Sequence, residues 1–600
     1  MNNKFYLLAF FCLLLNACKN ESEGLSESLV TGKDWPVYGG NKAGNRYSPL
    51  QQINSSNVKN LKVAWIYDAR EPVDSANPNQ RPKEIQCQPI VVDGIMYGTT
   101  PEVKLFAIDA ATGKELWKFV PEKHNQSFAS NRGVMFWRNG NDTRILFSSG
   151  SNLYAINAKD GKPIQTFGNG GKADLHEGLA TGLDHEVKDL SVSASTPGVI
   201  YKNIVIMGSS VSEGGDAAPG HIRAFDVVSG KLKWVFHTIP QPGELGYDTW
   251  PKDAYKKIGA ANNWSGLVVD EKRGVVFFGT GSPASDFYGG DRKGANLFAN
   301  CIMALDAETG KMKWYFQTTR HDLWDRDHPC QPNLTTVTRN GKKLDVVAQV
   351  TKDGLVYVLN RDTGESLYPV EEHPAPVKGL PGEHPYPTQI SPVKPLPLTR
   401  QIFTEDDITN ISPGAHAFVK QRWLEFGLMP SKYEPPSVKG TLLHGYSGGA
   451  EWGGNATDPG GILYQNANED FWELMMVDQE TRNKELANVS PGQALYMRNC
   501  AVCHGADRKG SGSVFPSLVN IGNKRSPAAI NTILKTGIGR MPSFKHLSEV
   551  ERNTVTGFLL NKEKKVAKPT DKHSTADTIA REKNFPYRPL YVSKTWRKFL

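Results

Sequence analysis

The chain has 600 residues, too many for one ordinary hydrophobic core, so it must hold several folding units or one large closed repeat. Its formal charge of +8 is spread along the sequence with no basic run, which argues against a nucleic-acid partner. The 57 glycines and 38 prolines suit many short strands joined by turns.

The first element is a targeting segment. Lys4 precedes an apolar run over residues 5–15, too short to span a bilayer comfortably, which Leu15-Asn16-Ala17-Cys18 closes. Small residues before a cysteine resemble a bacterial lipobox. Residues 1–18 therefore read as a lipoprotein signal peptide, with Cys18 lipidated and residues 19–33 a polar tether. An ordinary signal peptide with an incidental cysteine is the other reading, and both imply export. The expected location is the periplasmic side of a membrane, held through Cys18.

A short pattern then recurs: an apolar strand ending in Asp or Asn, a glycine turn, and often a tryptophan. It runs through Asp109, Gly113 and Trp117, then Asn157 and Gly161, then Asp226, Gly230 and Trp234. Asp306, Gly310 and Trp314 form a fourth copy, and Asn360 with Gly364 a fifth. Each reads as a hairpin whose turn needs glycine at positive φ, with the tryptophan packing between neighbouring units. Copies spaced by roughly fifty to eighty residues predict a β-propeller. Glu451-Trp452-Gly453-Gly454, followed by 461–468, suggests a sixth unit.

Residues 490–562 change character and read as a small α-helical domain. Its last helix starts near Ser548 and is expected to turn Val550, Val555, Phe558 and Leu559 towards a core. Near its start stands Cys500-Ala501-Val502-Cys503-His504, the attachment motif of c-type haem. The two thiols bind the porphyrin, and His504 becomes one axial ligand. Met541, in Gly539-Arg540-Met541-Pro542, is the candidate for the other. His/Met ligation suits electron transfer. Half a zinc site would want a further cysteine or histidine pair, and no cysteine lies between Cys330 and Cys500 or after Cys503. Of seven cysteines, Cys87, Cys301 and Cys330 are left over, enough for one disulfide at most.

Trp35-Pro36-Val37-Tyr38-Gly39-Gly40, Asn45-Arg46-Tyr47-Ser48-Pro49-Leu50 and the tryptophan repeats resemble the pyrroloquinoline quinone (PQQ) dependent dehydrogenases. The likeness covers 34–477, resumes near 586, and is nearest to the membrane-associated glucose and polyol enzymes. It implies an all-β, eight-bladed β-propeller, with the helical cytochrome c domain inserted at 490–562. The family continues through further repeats where this chain stops. On that likeness residues 586–600 begin the return to the propeller and the C-terminal blades are missing, as in a fragment.

The same resemblance implies site residues. His321-Asp322-Leu323-Trp324-Asp325 ends in the aspartate that acts as base, and Lys352 contacts the quinone oxygens. Lysine there favours the sugar-oxidising branch. Without the family, Asp325 could be a tuned base or could simply bridge a loop. Arg132 matches an arginine that pairs with a cofactor carboxylate, Trp264 the floor beneath the cofactor, and Trp452 a further cofactor contact. Glu213, Ser282 and Asp325 match metal positions, with Ca2+ the default cation and Asp327 a further donor for a larger or more charged one. Ser282 replaces an asparagine common in alcohol-oxidising members, and Tyr446 stands where an asparagine is expected. Ser127-Phe128-Ala129-Ser130 excludes the adjacent cysteine pair of methanol dehydrogenases. His124 is a weaker candidate for a sugar-pocket histidine.

The expected activity is therefore oxidation of a sugar, polyol or alcohol by hydride transfer to PQQ. Electrons then pass to the chain's own haem c, and on to the respiratory chain or a soluble acceptor. An alcohol rather than sugar dehydrogenase is one alternative. The other, a non-catalytic propeller scaffold lipoprotein, does not account for the haem motif or for Asp325 with Lys352.

Overall fold

The computed structural model describes residues 34–70, 84–122, 130–184, 186–215, 217–426, 429–446, 448–469, 471–486, 488–510, 516–536, 544, 547–562 and 586–591. Cys18, His124 and Met541 lie outside them. Four four-stranded antiparallel sheets follow in chain order: Ile90–Val92 to Glu115–Phe119, Met135–Asn139 to Lys172–Asp174, Val199–Tyr201 to Leu232–Phe236, and Leu267–Asp270 to Met312–Gln317. A fifth, of three strands, runs from Asn333–Arg339 to Val356–Asn360. Alternate residues of a strand point to opposite faces, and in inner strands such as Leu105–Asp109, Asn152–Asn157, Ile204–Met207 and Val275–Gly279 both faces are apolar and buried. The hydrophobic clusters accordingly lie between successive sheets. Leu105, Ala107, Phe147 and Ile156 join the first two, and Val276, Phe278, Ile206 and Ala224 join the third and fourth.

The repeat turns have one geometry. Asp109 Oδ1 accepts from the backbone N–H groups of Ala111 and Thr112, and Asp226, Asp306 and Asn360 accept in the same way. The closing glycines 113, 161, 230, 310 and 364 have φ of 73°, 72°, 73°, 72° and 76°. At Gly161, Gly310 and Gly364 the tryptophan of the preceding sheet lies against the glycine, whereas Gly230 meets Gly168 and Phe167. Trp117 Nε1 donates to the Ala158 carbonyl at 3.1 Å, Trp234 to Ala307 at 3.3 Å and Trp314 to Arg361 at 3.1 Å. Trp65 covers Gly113 likewise, a docking position absent from the repeat pattern.

The expected sixth unit is built differently. Trp452 and Gly454 lead only into a two-residue ladder, Ala456–Thr457 with Leu463–Tyr464. A separate sheet pairs Thr441–His444 with Phe471–Asp478, and the latter with Tyr587–Tyr591. The helices from Gln479–Leu486 to Glu549–Leu559 therefore occur between two neighbouring strands of one sheet.

Ser490 caps Pro491–Asn499 by accepting from Gln493 N, and Ser548 forms a capping box with Glu551 at the start of Glu549–Leu559. Tyr496, Cys500, Ile530, Leu534, Val555 and Leu559 form the helical core. Val550 does not join it and is 63% exposed. At about 100° per residue it stands some 140° around the helix from Val555, on the outer face. Cys87, Cys301 and Cys330 are free thiols.

Candidate active site

In an antiparallel four-stranded blade, the chain entering the first strand, the link between the second and third, and the exit from the fourth all fall at one end. The expected site residues come from these links. Arg132 precedes Met135–Asn139 and Trp264 precedes Leu267–Asp270. Glu213, Ser282 and Lys352 lie between second and third strands, and Asp325 follows Met312–Gln317. The glycine turns occupy the opposite end.

The 321–328 loop is held by its own polar groups. Asp322 is buried; Oδ1 accepts from Trp324 N at 2.8 Å, and Oδ2 accepts from Arg326 N at 2.6 Å and Asn300 Nδ2 at 2.8 Å. His321 Nε2 meets Glu383 Oε1 at 2.8 Å. Between these anchors Asp325 adopts φ of 60°, an uncommon conformation for a residue other than glycine. Side chains then diverge. Asp325 and Asp327 face the site, while the Arg326 guanidinium lies against an aromatic pair, 4.7 Å from the Trp324 ring and 4.9 Å from the Tyr433 ring.

Lys352 sits on a tight link closed by Gly354, whose φ is 76°. Its Nζ donates to Asp325 Oδ2 at 2.6 Å, with both side chains nearly buried. Ser282 Oγ is 3.3 Å from Asp286 Oδ1 and 3.5 Å from Asp325 Oδ1. Burial pushes the Asp325 carboxyl well up, and Asp327, Asp286 and Glu213 add to this while Lys352 opposes it. Asp286 is raised by burial and then by Glu213 and Asp327. Glu213 touches solvent yet is raised, first by desolvation: protein on most sides excludes bulk water from its surroundings. Burial works against the charge on Lys352, but Asp325 and Asp327 outweigh it and raise its pKa.

Four carboxyls thus face one ammonium. Among the described residues no three His, Cys, Asp or Glu side chains converge tightly enough to form an ion cage. The donor chemistry still fits a hard cation, since oxygen donors and uncompensated negative charge are what such an ion requires. Asp286 carries no motif and was not legible in the sequence.

The other pole is basic and aromatic. The Arg132 guanidinium lies 5.3 Å from the Trp264 ring and 4.8 Å from the Trp452 ring. Its Nη1 reaches Ser195 Oγ at 3.3 Å and Thr196 Oγ1 at 3.2 Å, and no carboxylate of the described residues pairs with it. Burial lowers its pKa to about 10. Trp264 joins the two poles: its Nε1 donates to Asp327 Oδ2 at 2.8 Å while its ring stacks on Arg132. Tyr446 lies beside the acidic pole, its ring 5.3 Å from Lys352 Nζ.

In the helical domain, Cys500 and His504 are buried, and Cys503 lies on the short helix Ala501–His504 between them. His504 Nδ1 is 2.8 Å from the Pro516 carbonyl, which orients the ring and leaves Nε2 for a metal. Burial lowers its pKa, favouring the neutral ligand form. His504 thus fits a haem iron, and Cys500 stands in the motif that attaches the porphyrin.

Residues 35–508 match the family described as the glucose/ethanol/alcohol dehydrogenase β-propeller domain of the PQQ type. The chain belongs to this family. Residues 487–559 of this PQQ-family chain match the cbb3-type cytochrome c oxidase subunit III family, so the helical segment is a cytochrome c domain. Quinoprotein glucose dehydrogenase of Escherichia coli is 34% identical, over 74% of this chain and 56% of that protein. Quinate/shikimate dehydrogenase (quinone) of Acinetobacter baylyi is 31% identical, over 71% and 55%. The chain thus spans about half the length of these relatives. Quinohemoprotein alcohol dehydrogenase from Comamonas testosteroni has the same fold, with a TM-score of 0.54 at 23% identity over 74% of this chain and 59% of that one.

Proposed function

We propose that the protein is a quinohaemoprotein dehydrogenase that oxidises a polyhydroxylated substrate of sugar or cyclic-polyol type. The Asp325–Lys352 pair, set opposite the Arg132–Trp264–Trp452 stack, carries the reading. Arg132 binds a carboxylate of a flat cofactor, with Trp264 and Trp452 as its apolar walls. Glu213, Ser282, Asp325 and Asp286 supply oxygens for a cation such as calcium. Bound there, PQQ supplies the hydride acceptor, the cation a Lewis acid, and covalent haem c a one-electron outlet.

The residues of the chain do the rest. Asp325 takes the proton of the substrate hydroxyl, and a carboxyl whose affinity for a proton is raised by burial suits that task. Lys352 holds Asp325 in place and donates to oxygens that gain negative charge. Cys500 and Cys503 anchor the haem, and His504 with Met541 ligates its iron. Both glucose and quinate are ring polyols, which favours that class over simple alcohols. Export with a lipid at Cys18 puts this chemistry on the periplasmic side, with a respiratory-chain or soluble electron acceptor.

The test is to express the chain with haem maturation, add PQQ and calcium, and follow haem reduction with a panel of sugars, polyols and alcohols. Asp325→Asn should keep the haem spectrum and lose substrate-driven reduction. Reduction at the parental rate in that variant would sink the assignment of the base.

A further inference from the structure

We infer that Tyr446 and Trp472 form the bridge through which single electrons leave the acidic pole of the site for the helix carrying His504. The inference rests on the quinohaemoprotein reading. Three contacts run in one direction. Lys352 Nζ, bonded to Asp325, stands 5.3 Å from the centre of the Tyr446 ring. Tyr446 meets Trp472 edge to face, with centroids 4.9 Å apart. Trp472 belongs to strand Phe471–Asp478, whose neighbour Tyr587–Tyr591 packs against helix Ala501–His504. Phe287, at 5.6 Å from Tyr446, closes the gap on another side.

Topology explains why the contacts meet. Trp472 is paired with Leu443, close before the Gly445 turn that presents Tyr446. The same strand, two residues on, is paired through Leu474 with Tyr591. One strand therefore touches the site at its start and continues into the ladder that borders the helical domain. Electron tunnelling falls steeply across empty or water-filled gaps and less steeply through packed π-systems, covalent bonds and ladder hydrogen bonds. Rings in edge-to-face contact leave no such gap.

The indole mediates the transfer and is not itself oxidised. Per substrate, two electrons leave the reduced quinone one after the other and its two protons pass to water. Each electron converts ferric to ferrous haem, and an external one-electron acceptor reoxidises the iron.

Tyr288 provides the internal control. It also contacts this sheet, with its ring 5.6 Å from Tyr587, and it belongs to the same core, but its hydroxyl bonds Pro381, away from Lys352.

The experiment uses the full chain carrying PQQ, calcium and haem, reduced by a flash-excited deazaflavin, with arrival of the electron read from haem absorbance. In Trp472→Leu the concentration-independent internal rate should fall by an order of magnitude or more. Trp472→Phe should recover most of it, and Tyr446→Leu should slow it as Trp472→Leu does. The haem midpoint potential, measured without the quinone, should be the same in all. A parental internal rate in Trp472→Leu and Tyr446→Leu overturns the proposal. So does an equal slowing in Tyr288→Leu, or a shifted midpoint potential that accounts for the loss. Light delivers the electron, so a chain that oxidised no sugar or alcohol would still give this answer. Failure of the dehydrogenase reading would show separately, as no haem reduction by any substrate.

Discussion

Lys352 Nζ lies 2.6 Å from Asp325 Oδ2, in direct contact with a carboxyl that burial and three acidic neighbours push towards protonation. The pair sets the charge of Asp325, the proposed base. In Lys352→Gln the opposing ammonium is gone while Asp327, Asp286 and Glu213 remain, so Asp325 holds its proton to higher pH. The acid limb of the kcat/KM profile should move to higher pH, with kcat reduced. Lys352→Arg, which keeps the charge, should leave that limb nearer the parental position. An unmoved limb in Lys352→Gln would separate Asp325 from the titration.

The crowded carboxyls also make stability depend on pH and calcium. Asp286 is raised well above its ordinary 3.8, so the folded protein binds this proton more tightly than the unfolded chain. Its contribution is full below 3.8 and is lost as pH rises through the raised value. In protein without PQQ or cation, Tm should therefore decline less as pH rises above 3.8 in Asp286→Asn than in the parent. Added calcium should raise the parental Tm most at the upper end, where the carboxylates are charged. Equal pH slopes in the two proteins would remove Asp286 from the cluster.

Asp322 holds the loop that carries Asp325, the proposed base. Its carboxylate accepts from Trp324 N, Arg326 N and Asn300 Nδ2 in a buried loop. Leaving buried donors unpaired costs about 1–3 kcal/mol each. Asp322→Ala should lose several kcal/mol of stability in denaturant unfolding, and kcat should fall more than KM changes. Asp322→Asn, which retains one acceptor, should recover part of both.

Blade docking gives a prediction away from the chemistry. At Gly310, φ is 72° and an added Cβ would lie 2.5 Å from the Trp234 ring. Gly310→Ala combines left-handed strain of about 1–2 kcal/mol with displacement of the indole that joins the third and fourth sheets. It should lower stability by more than the strain alone, whereas Gly140→Ala, where nothing lies within 4 Å of the new Cβ, should show the strain only.

Sequence showed those features whose chemistry is local. The Asp–Gly turns and their tryptophans repeat because each turn must solve the same backbone problem, and Cys500 to His504 is a contiguous motif. Asp325 and Lys352 stand in recognisable stretches, but their contact spans two links of different blades. Asp286 and Trp472 carry no local signature, since their roles arise only when the 282–286 loop and the 471–478 strand fold against distant residues. The pairing of 587–591 with 471–478 was hidden for the same reason, since the whole helical domain lies between the two strands in sequence.

Arg132 tests the opposite pole. Its guanidinium is stacked between Trp264 and Trp452, and Nη1 is steadied by Ser195 and Thr196. A planar fork fits this slot and offers two parallel donors to a carboxylate, whereas a lysine offers a single point charge on a flexible stem. Arg132→Lys should weaken binding of PQQ to the cation-loaded protein by about 1–3 kcal/mol, roughly five- to 150-fold in Kd, measured by quenching of tryptophan fluorescence. Arg132→Ala should weaken it further. The midpoint potential of the haem should be untouched in both, because Arg132 precedes the second blade and the haem residues lie in the helical domain. Unchanged PQQ affinity in Arg132→Ala would remove this residue from the cofactor site.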